Sequence, residues 1–198
     1  MRQALQLLAG AMSAGCVIPY IRDIFRGTTR PHRVSWFAFA LLSSLAAAVQ
    51  FRDGLAAGAM LTAGAAIGFT TVFLLSLEYG TGGATIGQRL QLVATTAAAI
   101  AWLLTQDAEL ALVLIIVIEV LAIVPTVRKA YNAPTSETTS TWIIDGLSGV
   151  IAALTAVQFT EAIYPIHHVL VNATVVAAIA AGNSSRDRDW AAVPRTPG

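Results

Sequence analysis

Two carboxylates stand inside long apolar stretches of this 198-residue chain. Glu119 follows Leu-Ile-Ile-Val-Ile and precedes Val-Leu-Ala-Ile-Val, six residues before Pro125. Asp145 lies three residues after Trp142, on the same face of a helix. An ionised carboxylate near a bilayer centre costs a few kcal/mol on insertion scales, so it tends to face a cavity and to have a task. The tasks open to Glu119 and Asp145 are proton coupling or contact with a polar solute. The structural alternative is a protonated or paired carboxyl that bridges helices. Asn172, eight residues past Tyr164, has the same two readings: a solute contact, or an interhelical hydrogen bond worth about 0.6 kcal/mol. One of His167 and His168 could be a pH-sensitive gate. Neighbours on a helix point about 100° apart, which makes no chelate, so neither a metal site nor a cofactor is expected. With no His-Glu-x-x-His motif and no Ser/His/Asp set, an enzyme is not expected either.

The elements that hold these residues follow from composition. The chain is 56% hydrophobic and 12% charged, against about 25% charged in soluble domains. The unit of organisation is therefore the transmembrane helix of about 20 residues. Apolar runs give seven spans: Ala4 to Ile21, Val34 to Phe51, Leu55 to Leu77, Leu90 to Thr105, Leu110 to Val127, Trp142 to Phe159 and Ile163 to Gly182. A net charge of +1 lacks the basic excess that nucleic-acid binding needs. The single Cys16 rules out an intrachain disulfide.

With the N-terminus outside and seven crossings, the inner loops hold Arg22, Arg26, Arg30, Arg33, Arg89, Arg128, Lys129, Arg186, Arg188 and Arg195. The outer side holds only Arg2 and Arg52. Ten cations against two is a strong positive-inside bias, and it places the C-terminus in the cytoplasm.

A shift of 106 residues lays the chain over itself. Ile18-Pro19-Tyr20-Ile21-Arg22 meets Val124-Pro125-Thr126-Val127-Arg128. Trp36 and Trp142 each stand 17 residues past a proline, at the start of the next span. The end of that span moves to a shift of 108, where Ala48-Val49-Gln50-Phe51 meets Ala156-Val157-Gln158-Phe159. Self-similarity of this kind marks transporters built from repeats. Three crossings reverse the chain, so a fourth must precede a second copy of the same orientation. Residues 1–80 are then the first repeat, 81–106 a linker helix, 107–183 the second repeat and 184–198 a disordered cytoplasmic tail.

This three-plus-one-plus-three plan, with a proline near the inner end of each first helix, resembles the PQ-loop superfamily, which includes the SWEET and SemiSWEET sugar transporters. The Pro-Gln pair of that superfamily stands here as Pro19-Tyr20 and Pro125-Thr126. The segment from Ile18 to Trp36, and Pro134 to Trp142 with its Glu137-Thr138 pair, look most like a prokaryotic membrane-protein family. The resemblance implies an all-α, SWEET-like bundle in a prokaryotic inner membrane. It implies that Pro19 and Pro125 are hinges, that Asn172 lies in the solute pocket, and that Trp36 and Trp142 line its inner mouth. Without it, the prolines are helix ends and the tryptophans interfacial anchors.

The function expected is transport of a small polar, sugar- or metabolite-like solute by alternating access. Glu119, Asn172, Trp36, Trp142 and Asp145 form the pocket, and Glu119 and Asp145 carry protons. The competing expectation is a receptor of the same fold that binds without transporting. Gly54-x-x-x-Gly58 and Gly64-x-x-x-Gly68 in the third span permit close helix contact within the bundle or in a homo-oligomer. Membrane lipids are the remaining expected partners.

Overall fold

The computed structural model describes residues 1–82, 85–105 and 108–191. It is all-helical. The helices are α1 (Arg2–Gly15), α2 (Val17–Phe25), α3 (Arg33–Arg52), α4 (Ala56–Tyr79), α5 (Ile86–Thr105), α6 (Ala108–Asn132), α7 (Thr139–Thr155) and α8 (Phe159–Ala191). Five stretches are long and apolar enough to cross a membrane: Arg2–Phe25, Arg33–Arg52, Ala56–Tyr79, Leu110–Asn132 and Phe159–Ser185. They fit a membrane protein.

Loop chemistry sets most of the boundaries. Gly27, at φ 72°, takes the left-handed turn that ends α2. His32 then caps α3, its imidazole accepting from the Ser35 N–H at 3.3 Å. Burial, and then the Lys129 ammonium, hold that imidazole below its usual range, so it serves as a neutral acceptor. The sixth span differs most from the sequence reading. The helix starts at Thr139 and stops at Thr155, four residues short of Phe159, where Ala156 turns extended. The Glu161 carboxylate explains the stop, because it takes the Val157 N–H at 2.7 Å and so turns the corner into α8. Helix α8 runs on to Ala191, into the segment read as a disordered tail; residues 192–198 lie outside the described ones.

The two repeat prolines behave differently. Each removes an N–H, leaving the carbonyl of Gly15 or Leu121 without its helical donor. The first span breaks at Cys16, between α1 and α2 and three residues before Pro19. Helix α6 continues through Pro125.

The packing falls into two triads. Helix α4 lies between α1 and α3, and α8 lies between α6 and α7. Among the described residues, α1 does not approach α3, nor α6 approach α7. The triads join where α1 meets α7 and α3 meets α6, while α5 lies against α6 and α3. At the junction Trp36 and Trp142 face each other with ring centroids 6.1 Å apart. Both are buried, at 1% and 4% exposure. The interfacial-anchor reading of these tryptophans therefore fails: their rings fill the core between the triads.

Candidate functional site

Glu119, Asp145, Asn172 and Trp142 line one cavity, together with Phe39, Phe69, Ile123, His168 and Val171. Its volume is about 20 Å³, room for roughly one water-sized group. Phe39 comes from α3 and Phe69 from α4, and the polar groups come from α6, α7 and α8. Trp36 stands one layer behind, edge-on to Phe39 and Phe69 at 5.9 and 5.4 Å. Pro19 and Pro125 are not in the lining.

Each carboxylate has its own set of partners. Asp145 Oδ1 accepts from the Ser13 hydroxyl of α1 at 2.6 Å. Its Oδ2 accepts from Asn172 Nδ2 at 3.1 Å. His168 Nε2 lies 2.9 Å from the same oxygen, as a charge contact rather than an aligned hydrogen bond. Glu119 accepts from the Tyr164 hydroxyl at 2.8 Å and sits 3.0 Å from His167 Nε2. The two histidines therefore serve two different carboxylates. The 100° step between neighbours on α8 that forbids a chelate aims each ring at its own acid. Asp145 is 2% exposed. Helices α1 and α8 close over it through Ser13 and Asn172.

Asn172 spends its amide on Asp145 and on the His168 carbonyl, at 3.1 and 3.0 Å. Its Oδ1 is buried and has no hydrogen-bond partner. Buried polar atoms are nearly always paired, so this acceptor, on a residue that lines the cavity, marks a place for a donor. The repeat mate of Asn172 at a shift of 108 is Gly64, which packs on the backbone of α1 at Gly10. The pocket is thus asymmetric: the polar groups come from the second triad and the close packing from the first.

Polar clusters tie the helices together toward both ends of the bundle. At the end carrying Arg2, Glu161 is buried and accepts from Ala57 N at 3.0 Å and Val157 N at 2.7 Å. Arg2 reaches its carboxylate at 3.3 Å and the Thr155 carbonyl at 2.7 Å. A carboxylate there meets the positive N-terminal ends of α4 and α8 as well as a guanidinium. At the opposite end Thr29 and Thr138 share a hydrogen bond of 3.0 Å, and Thr138 donates to Asp23 at 3.0 Å. Beside them Glu137 meets Lys129 Nζ at 2.7 Å and accepts from Trp142 Nε1 at 3.2 Å.

Burial pushes the Glu137 carboxyl above its ordinary range, against the opposing pull of Lys129. Desolvation therefore outweighs the ion pair, and an asymmetry between its partners follows. Lys129→Met strands a buried carboxylate and should cost about 3 kcal/mol, the low end for breaking a buried pair. Glu137→Gln should be close to neutral. The native state holds the Glu137 proton more tightly than the unfolded chain does. Stability should therefore fall as pH rises from the ordinary carboxylate range through the raised value. Thermal unfolding in detergent across that window should show the fall in wild type and not in Glu137→Gln.

The sequence singles out Glu119, Asp145, Asn172 and the two histidines, but not Ser13 or Tyr164 as their partners. Tyr164 enters the sequence analysis only as a point of count for Asn172. Comparison with protein-family models, with curated proteins and with solved structures finds no match to this chain.

Proposed function

We propose that this chain is a membrane transporter of a small polar solute, working by alternating access and coupled to protons through Glu119 and Asp145. The observation that carries the reading is one cavity between the triads, lined by two carboxylates, with polar clusters toward both ends of the bundle. A polar site between two halves is what alternating access requires. Opening one end would separate Arg2 from Glu161, and opening the other would separate Thr29 from Thr138 and Asp23.

The two triads, with α5 as connector, are then the halves of a SWEET-like fold of seven crossings. The cation distribution puts the N-terminus outside and the C-terminus in the cytoplasm of a prokaryotic inner membrane. The break at Cys16 beside Pro19 gives the first triad a bending point, and Pro125 gives the second a weakened turn. Each carboxylate holds an imidazole within 3.0 Å, so a proton can pass between a carboxylate and its ring without either group reaching bulk water.

The test is uptake of a panel of small polar solutes into proteoliposomes, with and without an inwardly directed proton gradient. The gradient should raise uptake several-fold. Glu119→Gln should lose the gradient-driven component, about tenfold, while keeping solute exchange at equal pH. Uptake indifferent to both the gradient and Glu119→Gln would sink the coupling. Solute binding with no flux under any condition would replace the transporter with a receptor.

A further inference from the structure

The cavity lining fixes more about the solute than its polarity. Its open hydrogen-bonding capacity is mostly of one kind. The donors around it are already committed: the Ser13 hydroxyl and Asn172 Nδ2 to Asp145, the Tyr164 hydroxyl to Glu119, and Trp142 Nε1 to Glu137. Apart from His168 Nε2, which is charge-paired with Asp145 at 2.9 Å without an aligned hydrogen bond, what remains are acceptors. Asn172 Oδ1 has no partner, and a carboxylate offers about four lone-pair sites, of which two are met on Glu119. The one basic side chain in the lining, His168, is held against Asp145.

The rest of the wall is apolar and mostly aromatic, with Ile123 and Val171 beside the rings. Phe39, Phe69 and Trp142 line the cavity, and ring faces attract cations through their quadrupoles. A wall of carboxylates, a free amide oxygen and aromatic rings repels an anion and leaves a pure acceptor unpaired. A space of about 20 Å³ admits one donor head the size of a water molecule.

We infer that the group seated in this cavity is a small cation bearing several N–H donors: the ammonium head of a simple amine, donating to Asn172 Oδ1 and the carboxylates, with its carbon against Phe39 and Phe69. This rests on the transport reading only for the claim that the cation moves; its recognition stands on the lining alone. A sugar, whose hydroxyls each carry two acceptor lone pairs for every donor, meets few donors in the same space.

The probe is methylammonium chloride, with glucose and sodium acetate as comparators, titrated calorimetrically into the purified full-length protein in neutral detergent. Methylammonium should bind at least tenfold more tightly than either comparator. Asn172→Ala should weaken it about tenfold, the size of a lost hydrogen bond to a charged group. Asn172→Asp, which keeps the acceptor and adds charge, should bind it as well as wild type or better. Thermal unfolding of each variant separates a lost site from a lost fold. Glucose or acetate binding as tightly as methylammonium overturns the inference, as does unchanged affinity in Asn172→Ala or lost affinity in a folded Asn172→Asp. Labelled methylammonium and glucose in proteoliposomes separate this result from the transport reading. Methylammonium binding without flux of either solute leaves the cation site and removes the transporter. Glucose flux without methylammonium binding does the reverse.

Discussion

Asp145→Ala is expected to abolish uptake and to cost about 3–5 kcal/mol of stability, the range for removing one member of a buried charged pair. The cost is large because three groups lose their acceptor at once. Ser13 of α1 loses its 2.6 Å hydrogen bond, Asn172 of α8 loses one at 3.1 Å, and the His168 imidazole loses its counter-charge at 2.9 Å. A single interhelical hydrogen bond in a membrane averages only about 0.6 kcal/mol, so two of them cannot make up that sum. Most of it is the stranded histidine, and this is separable. His168→Leu in the Asp145→Ala background removes the group that needs a charge and should recover more than half the loss, although His168→Leu alone is destabilising. Asp145→Asn keeps the shape and one acceptor, but turns an N–H toward donors. It should fold with a smaller penalty and still fail to take up solute. Thermal unfolding in detergent measures the first two variants, and proteoliposome uptake the third. Additive penalties for Asp145→Ala and His168→Leu would show that the pair is not coupled and that Asp145 acts through its size alone.

How far this site could be read from the sequence divides along a physical line. Burial cost is a property of a residue in its own stretch, so Glu119 and Asp145 were visible as charges that an apolar helix does not carry without reason. Pairing is a property of two stretches. The link between Glu119 on α6 and His167 on α8 spans 48 residues, and that between Ser13 and Asp145 spans 132; no periodicity connects them. The end clusters were hidden for a second reason. Glu137, Thr138 and Glu161 lie at helix ends, where charged and capping residues are ordinary, and only tertiary packing shows that Glu137 and Glu161 are buried. Most helix positions followed from hydropathy. The end of α7 did not, because an apolar run cannot show that Glu161 takes the Val157 N–H and stops the helix early. Trp36 and Trp142 were placed by the repeat at the start of equivalent helices, yet their meeting at the core depends on how the two triads face each other.

Gly64→Leu is expected to prevent the first triad from assembling, and even Gly64→Ala should cost about 1–3 kcal/mol, the usual range for overpacking. A Cβ at Gly64 would stand 2.8 Å from the Gly10 carbonyl carbon and 3.0 Å from its Cα. The obstruction is backbone, so no side chain can turn aside to relieve it. Gly10 is as tight in the other direction, its Cβ falling 2.6 Å from the Met60 carbonyl oxygen. The two glycines let α1 lie backbone to backbone on α4, the geometry that small residues give helices in a membrane. Gly15→Ala is the control. Its Cβ would meet nothing nearer than Ile18 Cδ1 at 3.9 Å, so helix propensity should make it neutral or stabilising by up to about 1 kcal/mol. The effect of Gly64→Ala should also reach the cavity. Helix α1 carries Ser13, and pushing α1 off α4 disturbs the 2.6 Å bond from that hydroxyl to Asp145. Ser13→Ala in the Gly64→Ala background should then cost less than Ser13→Ala alone, because the bond has already been weakened. Equal costs in the two backgrounds would show that α1 holds Ser13 against Asp145 independently of its seat on α4, and that the close packing of the first triad does not position the site.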